Sequence, residues 1–168
     1  MTGVIAAATH GPHETRALAA SLAEFARPGD LILLAGDLGA GKTTFAQGFG
    51  RALGVTDTIT SPTFTLHSRY RGRLRLDHLD VYRLEQLAEV LDIGLPELLD
   101  GDGVILVEWG DAIIPALPAD FLEIRISFGE GDDDRVFELR PVGTRWAARA
   151  AALQAALSRW AFGGAAPC

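Results

Sequence analysis

Lysine is almost absent from this chain. Of fifteen basic residues, Lys42 is the one lysine and the other fourteen are arginines. Asparagine is missing altogether, and cysteine and methionine occur once each. Because Cys168 is the last residue, no disulfide can close within the chain, and the composition fits a reducing cytosol. Without Asn, and with its single Lys preceded by Gly41, the chain cannot carry the N-K-x-D motif that reads guanine. No apolar run approaches the ~20 residues that span a bilayer, and the Ala-rich N-terminus lacks the basic region of a signal peptide. A cytoplasmic protein without a membrane segment is expected. The formal net charge of −7 argues against nucleic-acid binding by the whole surface. No internal repeat is present. At 168 residues the chain suits one domain, 1–168, with 161–168 expected to be a flexible tail.

Against these scarcities, residues 36–43 read Gly-Asp-Leu-Gly-Ala-Gly-Lys-Thr, a complete Walker A phosphate loop. The lone lysine falls where a compact ammonium reaches between phosphates better than a planar guanidinium does. Leu31 to Ala35 is a continuous apolar run suited to a strand buried on both faces. Beyond Lys42, Phe45, Phe49 and Leu53 recur along one helix face. The glycines Gly36, Gly39 and Gly41 therefore join a buried strand to a helix N-terminus, where open N–H groups and the helix dipole favour a polyanion. Gly36, Asp37, Leu38, Gly39, Ala40, Gly41, Lys42, Thr43 and Thr44 are the expected nucleotide-binding residues, with the Thr43 hydroxyl placed for Mg²⁺.

Turnover of a bound nucleotide also needs a metal-holding acid and a group that orients water. Glu108 follows the apolar run Val104 to Val107, at the strand end where ligands of α/β sheets sit. It could hold Mg²⁺ through water or act partly as a base; an ordinary strand-end Glu is the plainer alternative. In His78-Leu-Asp80-Val-Tyr82-Arg83, an extended backbone would put His78, Asp80 and Tyr82 on one face. Asp80 suits ordering of the attacking water, and taken alone it is as readily structural. His78 is more naturally a hydrogen-bonded core residue than a catalyst. Ser61-Pro-Thr-Phe64 could sense a γ-phosphate as a switch segment does, or be a strand-entry turn. Arg69, Arg71, Arg73 and Arg75 form either a basic stripe for RNA or an acidic partner, or a solvated face. Trp109 could stack on the site or fill space beneath the sheet edge.

Elsewhere, Pro12 opens a helix bearing Leu18, Leu22 and Phe25. Phe64–Tyr70 and Arg73–Leu79 are expected to form a hairpin turning at Arg71-Gly72. Leu84–Leu91 reads as a short helix and Pro96–Leu99 as a further turn. Leu122, Ile124, Ile126 and Phe128 alternate with polar residues in a half-buried strand, joined by an acidic turn to Val136–Leu139. A closing amphipathic helix carries Trp146, Ala150, Leu153, Leu157 and Trp160 on one stripe. The expected fold is an α/β P-loop NTPase, a three-layer sandwich whose mixed, mostly parallel central sheet carries β-hairpins.

Taken together, the phosphate loop, Ser61-Pro-Thr-Phe64, His78-x-Asp-x-Tyr-Arg83 and Val107-Glu-Trp109 closely resemble the TsaE (YjeE) family of small bacterial P-loop ATPases, in order and spacing from about Thr15 to Phe128. The resemblance implies an ATPase needed to make N6-threonylcarbamoyladenosine at position 37 of tRNAs reading ANN codons. Such a protein does not make the modification. It docks on a TsaB–TsaD heterodimer and resets it through ATP hydrolysis. Carried over by position, Lys42 and Thr43 would serve phosphate and Mg²⁺, Glu108 would serve Mg²⁺, and Asp80 and Trp109 would serve hydrolysis. The chain departs from the pattern before Thr15 and in the 129–134 turn, so Thr15 and Arg135 stand only as candidates on the nucleotide side. Direct contact with tRNA is left open. The main rival is a small-molecule P-loop kinase, against which stands the short Pro-containing connection after Val107, with no lid-like helical insert.

Overall fold

The computed structural model describes residues 3–62, 66–81, 88, 97–98, 100–109 and 120–162. Among these, the chain runs β1 (Ile5–His10), α1 (Pro12–Ala23), β2 (Leu31–Ala35), α2 (Lys42–Ala52), β3 (His67–Tyr70), β4 (Leu76–Val81), β5 (Val104–Trp109), β6 (Phe121–Phe128), β7 (Asp134–Val142) and α3 (Ala150–Ala156). Short 3₁₀ turns, Ala147–Arg149 and Ser158–Trp160, flank α3. The strands form one sheet in the order β1-β7-β6-β2-β5-β4-β3. Its centre, β6-β2-β5-β4, is parallel, and the pairs toward each edge are antiparallel. All five β2 residues are buried, as a central parallel strand requires.

Alternation along the strands sorts side chains onto two faces. Ile32, Leu34, Leu76, Leu106, Leu122 and Ile124 join α1, α2 and the C-terminal segment in the larger core. Leu31, Leu33, Leu79, Val81, Ile105 and Val107 form a second cluster with Leu98, which lies in the segment after β4. On the larger face Phe45 stacks on Phe49 with ring centroids 6.2 Å apart. α1 and α2 cross closely because a Cβ at Gly48 would collide with the backbone of Arg16. The Trp146, Leu153, Leu157 and Trp160 stripe is buried as expected, but the single helix is broken into two 3₁₀ turns around α3.

Three expectations change. β1 occupies the Ala-rich stretch before Pro12: Ile5, Ala7 and Thr9 alternate inward and pair in register with β7. The hairpin of β3 and β4 turns over residues 71–75, not at Arg71-Gly72 alone, with Tyr70 opposite Leu76. β4 is a hairpin flank as expected, and it is also an interior strand, paired with β5 on its other side and buried along its whole length. The helices expected at 84–91 and 96–99 fall almost wholly outside the described residues. Ala161 and Phe162, the start of the expected tail, bond to the edge of β1, through a bridge to Ala7 and from Phe162 N–H to the Ala6 carbonyl at 3.3 Å. Edge strands covered in this way are shielded from pairing with other chains.

Two buried ionic nodes hold the sheet to its surroundings. Arg149 makes a bidentate pair with Asp30, both contacts 2.7 Å, and stacks over Trp146 at 3.9 Å. This fastens the C-terminal segment to the residue that enters β2. In β4, Asp77 is fully buried and lies 2.7 Å from His67 Nε2, while accepting from Arg69 Nε at 2.8 Å and Arg75 Nε at 2.9 Å. Arg73 donates to the Ala23 carbonyl at 2.7 Å. Three of the four arginines of the expected stripe thus make internal contacts, although Arg69 and Arg73 remain exposed, as Arg71 does.

Burial alone would push the Asp77 carboxyl up. Hydrogen bonds from Arg69, His67 and Arg75, with the charge of Arg69, outweigh it and hold the group below the ordinary carboxylate range. A depressed folded-state value stabilises fully above the unfolded value near ~3.9, and that stability is lost as pH falls through the folded value. Asp77→Asn should therefore cost about 1.5–3 kcal/mol at pH 7, the scale of charge-assisted hydrogen bonds. In urea titrations the gap between parent and variant should narrow below about pH 4; a gap that stays constant with pH would contradict an ionised Asp77.

Candidate nucleotide site

The phosphate loop begins where β2 ends. Ala40 N–H closes a turn on the Asp37 carbonyl at 3.0 Å, and Phe45 N–H makes the first helical bond to Gly41 at 2.8 Å. Gly39 (φ 81°) and Gly41 (φ 112°) occupy positive-φ conformations that disfavour other residues. Among the described residues no side chain caps the N-terminus of α2, and no acid lies in its first turn, an arrangement that favours an anion at its leading N–H groups. Lys42 is buried and its Nζ donates to the Gly36 carbonyl at 2.8 Å, which folds the ammonium into the curl of the loop. Leu38 stands out at the tip, 87% exposed.

Beside this loop lies a cleft of about 200 Å³ lined by Leu38, Gly39, Gly41, Lys42, Thr43, Thr44, Ser61, Asp80 and Glu108. Every one of these is a residue that the sequence nominates. Gly36, Asp37 and Ala40 contribute from behind, through the carbonyls and turn just described. The two acids meet because β4 and β5 are parallel neighbours and Asp80 is the register partner of Glu108. Glu108 in turn is level with Leu34 of β2, two residues before the loop. Both acids are about 2% exposed, and both project on the α2 side of the sheet. Trp109 follows at the strand end, in register with Ala35 and Val81; its side chain lies outside the described residues. A larger groove of about 720 Å³ between α1 and α2 shares no residue with the phosphate loop.

The Ser61 segment is tied to the same strand. Leu66 N–H bonds the Pro62 carbonyl at 2.8 Å, and Asp80 N–H bonds the Leu66 carbonyl at 3.0 Å. Leu66 has φ 63°, the one positive value outside glycine among the described residues. Thr63 and Phe64 lie outside them. Of the two candidates on the nucleotide side, Thr15 is buried and its hydroxyl bonds that of Thr9 at 2.8 Å, away from the cleft. Arg135 instead reaches the phosphate loop. Its Nε donates to the Ala40 carbonyl at 3.0 Å, its Nη1 to the Asp132 and Asp134 carbonyls at 2.8 Å, and its guanidinium lies 4.8 Å from the Phe128 ring centroid.

Whether this site suits Mg²⁺ can be judged from its donors. Among the described residues no cluster of three or more His, Cys, Asp or Glu could hold a metal unaided. Two carboxylates and hydroxyl-bearing residues line a wall opposite open amides. That is a hard-oxygen set of the kind Mg²⁺ shares with nucleotide phosphates and water, not a dedicated protein cage. One Glu108 oxygen, Oε1, is buried without a hydrogen bond among the described residues, as befits an acid waiting for a further partner.

The family model described as "Threonylcarbamoyl adenosine biosynthesis protein TsaE" matches residues 9–137. The chain belongs to the TsaE family. It is 49% identical over 139 residues to the tRNA threonylcarbamoyladenosine biosynthesis protein TsaE of Bacillus subtilis, across 82% of this chain and 86% of that one. It is 42% identical to the TsaE protein of Streptomyces coelicolor, across 79% of this chain and 93% of the other. In structure it is similar to crystalline YdiB of Bacillus subtilis, with a TM-score of 0.76 and 42% identity over 95% of this chain and 97% of that one. Membership in the TsaE family places the chain in tRNA threonylcarbamoyladenosine biosynthesis, and the likeness to YdiB supports the P-loop α/β fold. No helix among the described residues is long and apolar enough to cross a membrane.

Sequence spacing gave no warning of how Arg135 acts. It follows the acidic run 130–134 in chain order, and only the folding of β7 beside β6 brings it over the loop. Arg135→Ala should release the outer carbonyls of the loop. Hydrogen exchange at Leu38 to Gly41 should quicken, and ADP affinity should fall about tenfold, the scale of one charge-assisted hydrogen bond. Unchanged exchange in the loop would show that the contact does not restrain it.

Proposed function

We propose that this TsaE-family chain is a Mg²⁺-dependent ATPase whose hydrolysis is weak alone and is completed on a TsaB–TsaD assembly of the tRNA threonylcarbamoyladenosine pathway. The observation that carries the proposal is the side-by-side placement of Asp80 and Glu108 across the cleft from an uncapped phosphate loop. In this proposal the loop amides and Lys42 hold the β- and γ-phosphates. Thr43 and Glu108 would hold Mg²⁺, which when bound neutralises phosphate charge. Asp80 orients the attacking water, with Trp109 beside it, and Ser61 approaches the γ-phosphate side as a switch residue.

A water-orienting role for Asp80 requires it to sit near the γ-phosphate without being needed for binding. Its position supports this: Asp80 shares the cleft with Ser61 and Thr43, while the amides that would grip phosphate belong to a different element. Among the described residues no arginine lines this cleft, and an arginine finger is what stabilises transition-state charge on a γ-phosphate in P-loop enzymes. A partner that supplies such a cation would account for weak turnover in isolation. Leu38, exposed at the rim, offers that partner an apolar contact beside the nucleotide. A small-molecule kinase is the second reading, since the same loop could serve phosphoryl transfer to a hydroxyl instead of water.

Lys42→Ala should abolish tight nucleotide binding. Asp80→Ala should keep binding within a few-fold while lowering hydrolysis by about 10²–10⁴, the range for a positioned acid–base group. Calorimetry with an ADP titration and a phosphate-release assay separate the two outcomes. Adding TsaB and TsaD homologues should stimulate release strongly in the parent and not in Asp80→Ala. Parental hydrolysis by Asp80→Ala would remove the role assigned to it, and phosphorylation of a hydroxylated metabolite would favour the kinase.

A further inference from the structure

We infer that His78 is a positioning residue for Glu108: its Nε2–H holds Glu108 Oε1, so that the carboxylate meets the cleft in one orientation. The inference rests on the proposal that Glu108 serves the nucleotide-bound cation. His78 lies in the middle of β4, one step below Asp80 on the same face, and is the register partner of Leu106 in β5. It is fully buried, 0% exposed. Its Nε2 stands 3.4 Å from Glu108 Oε1, without the alignment of a hydrogen bond. Among the described residues neither ring nitrogen of His78 has a hydrogen-bond partner, and neither does Glu108 Oε1.

Such an arrangement is costly if its purpose is packing. A buried polar group left unpaired costs about 1–3 kcal/mol, and interior strands ordinarily carry Leu, Ile or Val at such a position. The neighbouring side chains on this face, Leu76, Leu106 and Leu34, are of that kind. An imidazole repays its burial by giving the acid a fixed donor. The gap of 3.4 Å is about half an ångström beyond a good charge-assisted bond, and the inference requires Glu108 to close it. Carboxylates that bind metals are themselves held by such outer partners, whose loss typically costs 10–100-fold in metal affinity. With Oε1 held by His78, Oε2 remains for the cleft. Asp80, alongside, keeps its own task.

The test separates the cation from the nucleotide. A fluorescent ADP analogue is titrated into the parent, His78→Leu, His78→Gln and Glu108→Gln, first in EDTA and then with increasing Mg²⁺. His78→Leu should bind Mg²⁺-free ADP within about twofold of the parent, but need about 10–100-fold more Mg²⁺ for half of the Mg²⁺-dependent change. His78→Gln, whose side-chain amide puts an N–H near the Nε2 position, should recover most of that loss. A parental Mg²⁺ midpoint in His78→Leu, or equal loss in the Leu and Gln variants, overturns the inference while leaving the site proposal standing. A parental midpoint in Glu108→Gln overturns both. Should His78→Leu fail to fold, nitrogen-15 imidazole spectra of the parent decide. A proton on His78 Nε2, with a signal that moves in Glu108→Gln, supports the contact; a ring protonated only at Nδ1 overturns it.

Discussion

Parallel pairing of β4, β5 and β2 in one register is the constraint from which the site follows. It sets Asp80, Glu108 and Leu34 level across three adjacent strands, with β2 running two residues further into the phosphate loop. Successive side chains on a strand face opposite sides. A slip of one residue in β4 or β5 would therefore turn an acid to the far face and bury it among Val81, Val107 and Leu98. The register is itself held by apolar residues. Ile105, Val107, Leu79 and Val81 seal one face, while Leu76, Leu106 and Leu34 seal the other. Burial of these side chains, at about 1.5–3 kcal/mol each, is what opposes the desolvation of two carboxylates and an imidazole between them.

Charge burial in β4 is handled differently at its two ends. At the start, Asp77 faces the second side of the sheet and is surrounded by His67, Arg69 and Arg75, so its negative charge is fully compensated within the fold. Near the C-terminal end, Asp80 and Glu108 share the cleft with Lys42, the one cation among its described lining residues, whose Nζ donates to the Gly36 carbonyl. One end of the strand thus supports stability, while the other places two acids in the candidate cleft. Polar groups whose hydrogen bonding is incomplete are expected where a ligand finishes the set. The strand carries this burden because its N-terminal end is so firmly held.

Much of this was legible in the sequence for a physical reason. The phosphate loop is a local structure whose glycines, lysine and threonine act within eight residues, and its flanking strand and helix announce themselves by continuous and 3.6-residue apolar patterns. Glu108 was legible because it ends an apolar run. Asp80 was harder: alternation placed it on a face with His78, but not beside Glu108, since pairing between strands 25 or so residues apart is not written in either one. β1 escaped notice because Ala6, Ala7 and Ala8 have little strand propensity. It exists through pairing with β7 and the inward packing of Ile5 and Ala7. The broken helix after Trp146 had a visible stripe, but its first break coincides with Arg149 turning inward to Asp30, a contact between residues 119 apart in the chain.

A related distinction separates several of the arginines from Lys42. Arg149, Arg75, Arg69 and Arg135 each satisfy fixed acceptors with a planar set of donors: carboxylates in the first three, peptide carbonyls in the last. A guanidinium keeps its charge and geometry at such sites, and at Arg149 an ammonium would lose one of the two contacts to Asp30. At position 42 the demand is opposite. Lys42 is buried within the loop with its ammonium on the Gly36 carbonyl, and in the function proposed above that ammonium serves a ligand's oxygens. Under that proposal the chain uses arginine at several structural contacts and its single lysine in the loop, a division of cations by chemistry of which the sequence shows only the lone lysine.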